Sequence, residues 1–274
     1  MGHKIAIGIA ETTSLYYGKG IPRAASALSY SLIFTLFPFL ICVNAMLGSL
    51  NLTPESLFEF LETILPQAAA EIITTYFAYI SETSVKTPLF FIGLAATLTS
   101  SATTFRSIMM TMCDIHGGAQ RRGFFNIVFS FVLSFAFLMA IYASCIIIVC
   151  GRWLMRIVED YFDIVMFVDL WKWLRFVVLF IILFLMMYMI YRVSSPRDYR
   201  RIPRTRGALV ATVLLEAISI IMSQAISFST RYTLVYGSLA SIVVLLAWLY
   251  AAGCIVYLGN IINVVIYNHT AAGK

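Results

Sequence analysis

The chain has 274 residues, of which 61% are hydrophobic and 12% are charged, with a formal net charge of +6. A soluble domain of this composition would expose large apolar patches, so the composition argues against a water-soluble protein and predicts that lipid surrounds much of the chain. Nucleic-acid binding is a weaker explanation of the positive charge, because no aromatic-interleaved basic groove accompanies the arginines.

Six continuously apolar stretches reach or approach the roughly 20 residues that a helix needs to cross a bilayer core about 30 Å thick. Continuous apolar runs, unlike the alternating pattern of a β-barrel, predict helices whose backbone groups bond within their own segment. We therefore predict an all-α integral membrane bundle of six helices, forming a single domain over residues 1–274. The predicted spans are 24–50, 88–112, 124–150, 173–191, 208–228 and 238–267.

The N-terminal segment shows no pattern of a cleavable signal, since Ile5–Ala10 is too short for a signal core and Glu11 follows it. Farther along, Pro38 lies inside the first predicted span. It removes one backbone hydrogen bond, which predicts a kink in that helix. Such a kink either opens a cavity or is a packing bend.

The external connection between the first two spans predicts two amphipathic helices. Thr53-Pro54-Glu55 is typical of a helix start, with a capping hydroxyl, a proline in the first turn and an acid near the positive end of the helix dipole. Pro66 separates this helix from a second amphipathic stretch, Ala68–Ile80. Helices of this kind most often lie in the membrane interface or cap a bundle, and more rarely gate an external opening.

Basic residues are concentrated on one side of the predicted spans. The positive-inside rule then places both termini and the loop between the fourth and fifth spans in the cytoplasm. We expect the arginines of this loop to form a surface for anionic lipid head groups. They are Arg192, Arg197, Arg200, Arg201, Arg204 and Arg206.

Glu216 is the acid that lies well inside a predicted span, about 12–14 Å from its cytoplasmic end at 1.5 Å per residue. An ionised carboxylate at that depth costs several kcal/mol unless it is protonated, paired or hydrated. Thr212, Ser219 and Ser223 share its helix face at three- and four-residue spacing. This stripe either lines a substrate or proton cavity, or holds a carboxyl that hydroxyls of neighbouring helices keep neutral. Further candidate cavity residues are Asn263, Asn260, Asn44 and Tyr30.

A second polar stripe runs along the second predicted span. Thr97, Ser100, Ser101 and Thr104 recur there at helical spacing. Because Ser and Thr commonly let membrane helices approach closely, we interpret this stripe chiefly as a packing surface.

Signatures of catalysis are few. The three histidines lack metal-ligand spacing, and the five cysteines include no C-x-x-C pair. No G-x-S-x-G, P-loop or dinucleotide motif occurs. We therefore expect no enzymatic activity, no metal and no cofactor, and energy for any transport would come from a gradient, a partner or the substrate itself.

Two ends of the chain resemble one known family. The first span carries Arg23-Ala24-Ala25-x-Ala27-Leu28-x-Tyr30 and Phe37-Pro38. The C-terminal half carries Tyr191-Arg192, Gly207-Ala208, Tyr236-Gly237-Ser238-Leu239, Trp248-Leu249-Tyr250, Leu258-Gly259 and Asn263. These motifs are similar to those of the YihY/BrkB family of bacterial inner-membrane proteins, formerly labelled ribonuclease BN. The resemblance implies six helices with cytoplasmic termini in the inner membrane.

The resemblance also implies a role in the cell envelope, since family members have been tied to envelope robustness, serum resistance and proposed export of lipids or small solutes. One motif departs from the family pattern. Where the family commonly has Gly-Ala-Glu-Leu-Asn, this chain has Gly259-Asn260-Ile261-Ile262-Asn263, so the family's acid is missing.

These observations predict a transporter or exporter of a lipid-like amphiphile or a small solute. Membrane lipids are the expected partners, and a homo-oligomer is left open. Two alternatives are a structural protein of the envelope and a membrane-embedded enzyme that modifies lipids.

Overall fold

The computed structural model describes residues 2–49, 75, 87–117, 124–162, 165–195, 204–227 and 238–271. Within these ranges every extended regular element is an α-helix and none is a strand, so the prediction of an all-α chain is confirmed there. The helices are α1 (Gly2–Gly18), α2 (Ile21–Ser49), α3 (Thr87–Ile115), α4 (Phe124–Phe162), α5 (Val165–Ser194), α6 (Arg204–Ser227) and α7 (Ser238–Ala271).

Five of the described helices are long and apolar enough to cross a membrane. They are α2, α4, α5, α6 and α7, through the segments Ile21–Ile41, Phe124–Ser144, Val177–Ser194, Arg204–Met222 and Ile242–His269. The predicted span 88–112 forms α3, which is 29 residues or about 43 Å long. α3 is not among the five within residues 91–115, whose side chains the structure describes and where hydroxyl residues and Arg106 lower the apolar character. The structure therefore supports five of the six predicted spans, and the sixth stays a prediction.

Several helices extend beyond the predicted apolar segments. α4 continues to Phe162 and α5 begins at Val165, because the mixed apolar and charged residues of this region continue the helical conformation after the apolar run ends. Pro38 lies inside α2, which continues through it; the kink stays a prediction. The predicted external helices fall in 53–80, outside the described residues apart from Thr75, which is helical.

α1 was not predicted from the sequence. It ends at a turn where Gly20, with a φ of 64°, takes the left-handed conformation that glycine adopts without strain. α1 packs against α7 and α2. Near the end of α7, Glu11 accepts a hydrogen bond from Asn268 Nδ2 at 2.9 Å, and its other oxygen lies 3.1 Å from His269 Nε2.

The helices from α2 to α7 pack in chain order, and α7 returns to contact α2. α3 also contacts α5 and α7, so it touches four other helices. Side chains from several helices meet in one core, among them the fully buried Tyr191, Tyr257, Met112 and Ile21. Apolar side chains such as Val213 and Ile220 on α6 remain exposed, as expected for a surface that faces lipid.

Candidate functional site

The start of α6 packs against α7 through two glycines. A Cβ atom on Gly207 would overlap the carbonyl oxygen of Gly259 and the side chain of Asn263. A Cβ on Gly259 would in turn overlap the hydroxyl of Tyr191 and lie 2.9 Å from Cβ of Ala211. Only glycine allows this approach, so we name the contact of Gly207, Gly259, Asn263 and Tyr191 the glycine junction.

Asn263 caps α6 from another helix. Its Oδ1 accepts a hydrogen bond from the Gly207 amide at 2.8 Å, and its Nδ2 donates to the carbonyl of Arg204 at 3.4 Å. The amides of the first turn of a helix have no acceptor within that helix, and Gly207 is in the first turn of α6. Asn263 is 1% exposed, so in this structure its amide serves the glycine junction.

Tyr191 joins α5 to the same place. Its hydroxyl donates to the carbonyl of Val256 on α7 at 2.8 Å, and the side chain is fully buried. Ser195, just after α5, donates from its hydroxyl to the Tyr191 carbonyl at 2.7 Å and accepts a hydrogen bond from Arg204 Nε at 3.3 Å. These bonds fix the end of α5 to the start of α6.

His116 lies in the turn after α3, near the start of α6. Its Nδ1 is 2.6 Å from the carbonyl of Met112. Burial lowers the pKa of His116, and the nearby charge of Arg204 lowers it further, while the bond to Met112 acts in the opposite direction. A buried imidazole beside a guanidinium is therefore held in its neutral form near pH 7.

The loop arginines divide into different environments. Arg192 and Arg206 are exposed, whereas Arg204 is half-buried and turned toward Ser195. Arg197, Arg200 and Arg201 lie outside the described residues. The head-group surface predicted from the sequence is thus untested as a whole, and one of its six members has a role in fixing helix ends.

Asn260 is a buried polar side chain on α7. It is 1% exposed, and its Nδ2 has no hydrogen-bond partner in the described part of the chain. A buried amide donor without a partner costs about 1–3 kcal/mol, so a hydrogen-bond acceptor is expected at this position. Asn260 lies in the motif Gly259–Asn263, where this chain lacks the acid expected from the family resemblance. That departure from the motif is visible in the sequence alone.

Glu216 lies on α6, beyond the glycine junction. It is half-buried, and no hydrogen bond or ion pair reaches its carboxylate from the described residues. Its helix neighbours Val213 and Ile220 are 50% and 64% exposed, so Glu216 lies at the edge of the buried face.

The hydroxyls of the Glu216 stripe are engaged elsewhere. Thr212 is fully buried and donates to the carbonyl of Ala208 at 2.9 Å. Ser219 donates to the carbonyl of Leu215 at 2.8 Å and accepts a hydrogen bond from the indole of Trp248 on α7 at 3.2 Å. Ser219 therefore lies at the contact between α6 and α7, which we name the α6–α7 seam, and Thr212 and Glu216 share its helix face. The side chain of Ser223 lies outside the described residues.

Tyr30, a predicted cavity residue, is not brought to this seam. Tyr30 is 65% exposed on the outer face of α2, with its ring 4.7 Å from that of Phe34. α2 contacts α7 through other residues, since Ala25 and Leu28 lie next to Gly253. The side chain of Asn44 lies outside the described residues.

The hydroxyl stripe of α3 joins helices, as its interpretation as a packing surface predicts. Thr35 of α2 shares hydrogen bonds with Ser100 at 2.9 Å and Thr104 at 3.5 Å. On another side of α3, Ser101 bonds the hydroxyl of Ser134 on α4. Each of these bonds links neighbouring helices.

A helical chain with five apolar helices of sufficient length, joined by polar contacts between helices, is typical of multi-span membrane proteins. The family model described as "Virulence factor BrkB" matches residues 13–274, and the chain belongs to this family. The resemblance seen in the sequence is thereby confirmed.

A curated relative carries a different label. The chain is 23% identical over 245 residues to the "Putative ribonuclease-like protein YfkH" of Bacillus subtilis (strain 168), and the match covers 89% of each chain. No solved structure matches this chain. Within the described residues, no group of three or more His, Cys, Asp and Glu side chains is arranged to hold a metal ion.

Proposed function

We propose that this protein moves an amphiphile or a small solute across the cytoplasmic membrane along the α6–α7 seam, with Glu216 as the central residue. One observation carries the proposal. Glu216 is half-buried in an apolar helix, and its carboxylate lacks a bonded partner among the described residues, although hydroxyl groups stand on either side of it.

The energetics favour a functional carboxyl over a merely neutralised one. An ionised carboxylate in hydrocarbon costs several kcal/mol, so the group needs a proton, water or a bound cationic or hydroxylated group. Thr212 and Ser219 already donate their hydroxyl protons to backbone carbonyls. They are therefore poor candidates for keeping Glu216 neutral, which leaves water or a substrate as the partner that we propose.

The predicted topology gives this path an entrance. If the start of α6 faces the cytoplasm, the exposed Arg192 and Arg206 stand beside it. Each basic residue close to an anionic leaflet contributes about 1 kcal/mol of attraction. In the proposal these arginines concentrate anionic head groups next to the seam.

Water access to the seam tests the proposal. In a variant without native cysteines, Ser219→Cys is exposed to a membrane-impermeant, water-soluble thiol reagent, and Val213→Cys on the outer face of α6 is the matched control. We expect labelling at position 219 and none at position 213, which faces lipid. Protection of position 219 from both sides of the membrane, together with unchanged cell-envelope function of Glu216→Gln, would refute a transport path here.

A structural role in the envelope is a second candidate, which the glycine junction favours. The junction and the hydroxyl pairs of α3 serve only to hold helices together in this structure. A purely structural protein would lose its envelope function on Gly259→Ala and keep it on Glu216→Gln. A transporter would lose it on both changes, so the pair of variants separates the two functions.

A further inference from the structure

The outer surface of α2 and α3 combines large aromatic residues with polar ones. Tyr30, Phe34 and Phe37 are 65%, 54% and 54% exposed on α2. On α3, small hydroxyl residues and one arginine are exposed in a second row. We name these two rows together the α2–α3 face; they consist of Tyr30, Phe34 and Phe37 on α2, and Thr99, Thr103 and Arg106 on α3.

The two rows lie on the same side of the helix pair. Thr35 bonds Ser100 and Thr104, which fixes the sides through which the antiparallel helices touch. At about 100° per residue, Thr35 is roughly 130° around α2 from the aromatic row, and its two partners are roughly 110° around α3 from the polar row. Because the helices run in opposite directions, these rotations carry both rows to one surface.

The same hydrogen bonds set the depth of each residue. At 1.5 Å per residue, Tyr30 and Arg106 both lie about 6–8 Å from the level of the Thr35 bonds, toward the start of α2. Phe34 is level with Thr103 to within about 1 Å, and Phe37 is near the level of Thr99. Each large residue of α2 thus shares its depth with a small or charged residue of α3.

Arg106 makes this surface unsuited to acyl chains. No hydrogen bond or ion pair reaches it from the described residues, and it is exposed. It lies about 9 Å inside the end of the predicted span 88–112. An arginine that faces acyl chains is unfavourable, whereas small residues favour close contact between helices.

We propose that a second copy of this chain covers the α2–α3 face and forms a two-fold dimer. A two-fold axis along the membrane normal keeps every residue at its own depth and sets α2 of one copy against α3 of the other. Phe34 then packs beside the small Thr103 of the other copy. Arg106 lies against the ring of the other copy's Tyr30, where a cation–π contact replaces exposure to lipid. The dimer does not depend on the proposed transport function.

The arrangement favours a second copy over a lipid as the occupant. A phosphate head group would satisfy Arg106 alone and would leave the exposed aromatic row of α2 without a partner. Another α2–α3 face satisfies the arginine and also matches the aromatic row with a row of small residues. Both partners contribute the same two contacts, as a two-fold interface requires.

Disulfide formation between two tagged copies tests the dimer. In a variant without native cysteines, one copy carries Phe34→Cys and the other carries Thr103→Cys. The control pair, Leu209→Cys with Val213→Cys, lies on α6 at 49% and 50% exposure. On mild oxidation in native membranes we expect a product that joins the two tags for positions 34 and 103, and little for the control pair. Equal yields would mean random collision and would overturn the dimer.

Arg106→Gln tests the assigned contact. Two arginine–tyrosine contacts are lost per dimer, so we expect the dimer to dissociate at concentrations at least roughly tenfold higher in lipid. Tyr30→Leu should weaken it similarly, and the melting temperature of each purified variant verifies its fold. Unchanged dissociation would overturn the contact. A monomeric wild-type protein whose co-purified phospholipid disappears on Arg106→Gln would overturn the dimer and identify lipid as the occupant.

Discussion

Replacing Gly259 by alanine perturbs the point where α5, α6 and α7 meet. The new Cβ would overlap the Tyr191 hydroxyl, and it would also lie 2.8 Å from the backbone oxygen of Gly207 and 2.9 Å from Cβ of Ala211. The last two groups belong to the body of α6 and cannot rotate away. Either α6 moves away from α7, or the Tyr191 ring moves and loses its bond to the Val256 carbonyl.

The expected loss follows from these contacts. Overpacking costs about 1–3 kcal/mol, and a buried hydroxyl without its partner costs about 1–3 kcal/mol. Alanine offsets up to about 1 kcal/mol of this destabilisation, because it restricts the unfolded chain more than glycine does. The midpoint is a destabilisation of about 3 kcal/mol, or a melting temperature roughly 6–12 °C lower.

Thermal unfolding of the purified protein, followed by size-exclusion chromatography in detergent, measures this loss. Gly8→Ala on α1 is the matched control, because nothing lies within 4 Å of a Cβ built there; its melting temperature should be unchanged or slightly higher. Adding Tyr191→Phe to Gly259→Ala removes the overlapping hydroxyl, so the double variant should lose less than the sum of the single losses. Melting temperatures of Gly259→Ala and Gly8→Ala within about 2 °C of each other would refute the geometry of the glycine junction.

Three other predictions concern single side chains. Asn263→Leu should destabilise the protein by about 1–3 kcal/mol in the same melting assay, because the Gly207 amide loses its bond to the Asn263 side chain, and an unchanged melting temperature would contradict this role. Glu216→Gln should abolish substrate flux in reconstituted vesicles while leaving the melting temperature within about 2 °C, and loss of folding instead would assign Glu216 a structural role. The lowered pKa of His116 means that the unfolded state binds the proton more readily, so stability present above about pH 6.5 should fall as the pH is lowered below it. His116→Gln should flatten that dependence of the melting temperature on pH, and a curve that keeps the wild-type slope would contradict it.

The apolar helices could be predicted because long uninterrupted apolar runs have few alternatives in a chain of this composition. α1 could not, since it has no such run and is held by contacts with the far end of the chain. Glu11 contacts Asn268 and His269, which lie near the other end of the sequence, and no local pattern predicts that contact. α3 stands between these cases. Its length was predictable, but its hydroxyl residues acquire their role only from Thr35 and Ser134 on neighbouring helices.

The candidate site illustrates a second limit. The sequence singles out Asn263 as a candidate cavity residue, which stays a prediction. Its bonds, however, are to the backbone of Gly207 and Arg204, groups that every residue type possesses. A side chain that bonds a backbone atom does not restrict the residue type of its partner, so the sequence does not reveal the contact. The exception is a close approach that requires glycine, as at Gly207. The position of Tyr30 could not be predicted from the sequence, because the packing of α2 against α3 decides which helix face is exposed.

The motifs of the C-terminal half also acquire a common physical reason. Tyr191, Gly207, Gly259 and Asn263 are far apart in the sequence, yet they meet at one junction, where each fits a contact that another residue type would break. In this chain these motif residues join α5, α6 and α7. Glu216 lies about 13 Å farther along α6 than Gly207, outside the junction. A change of polar residue there should leave the joint undisturbed and, under the proposed function, should alter what the seam binds.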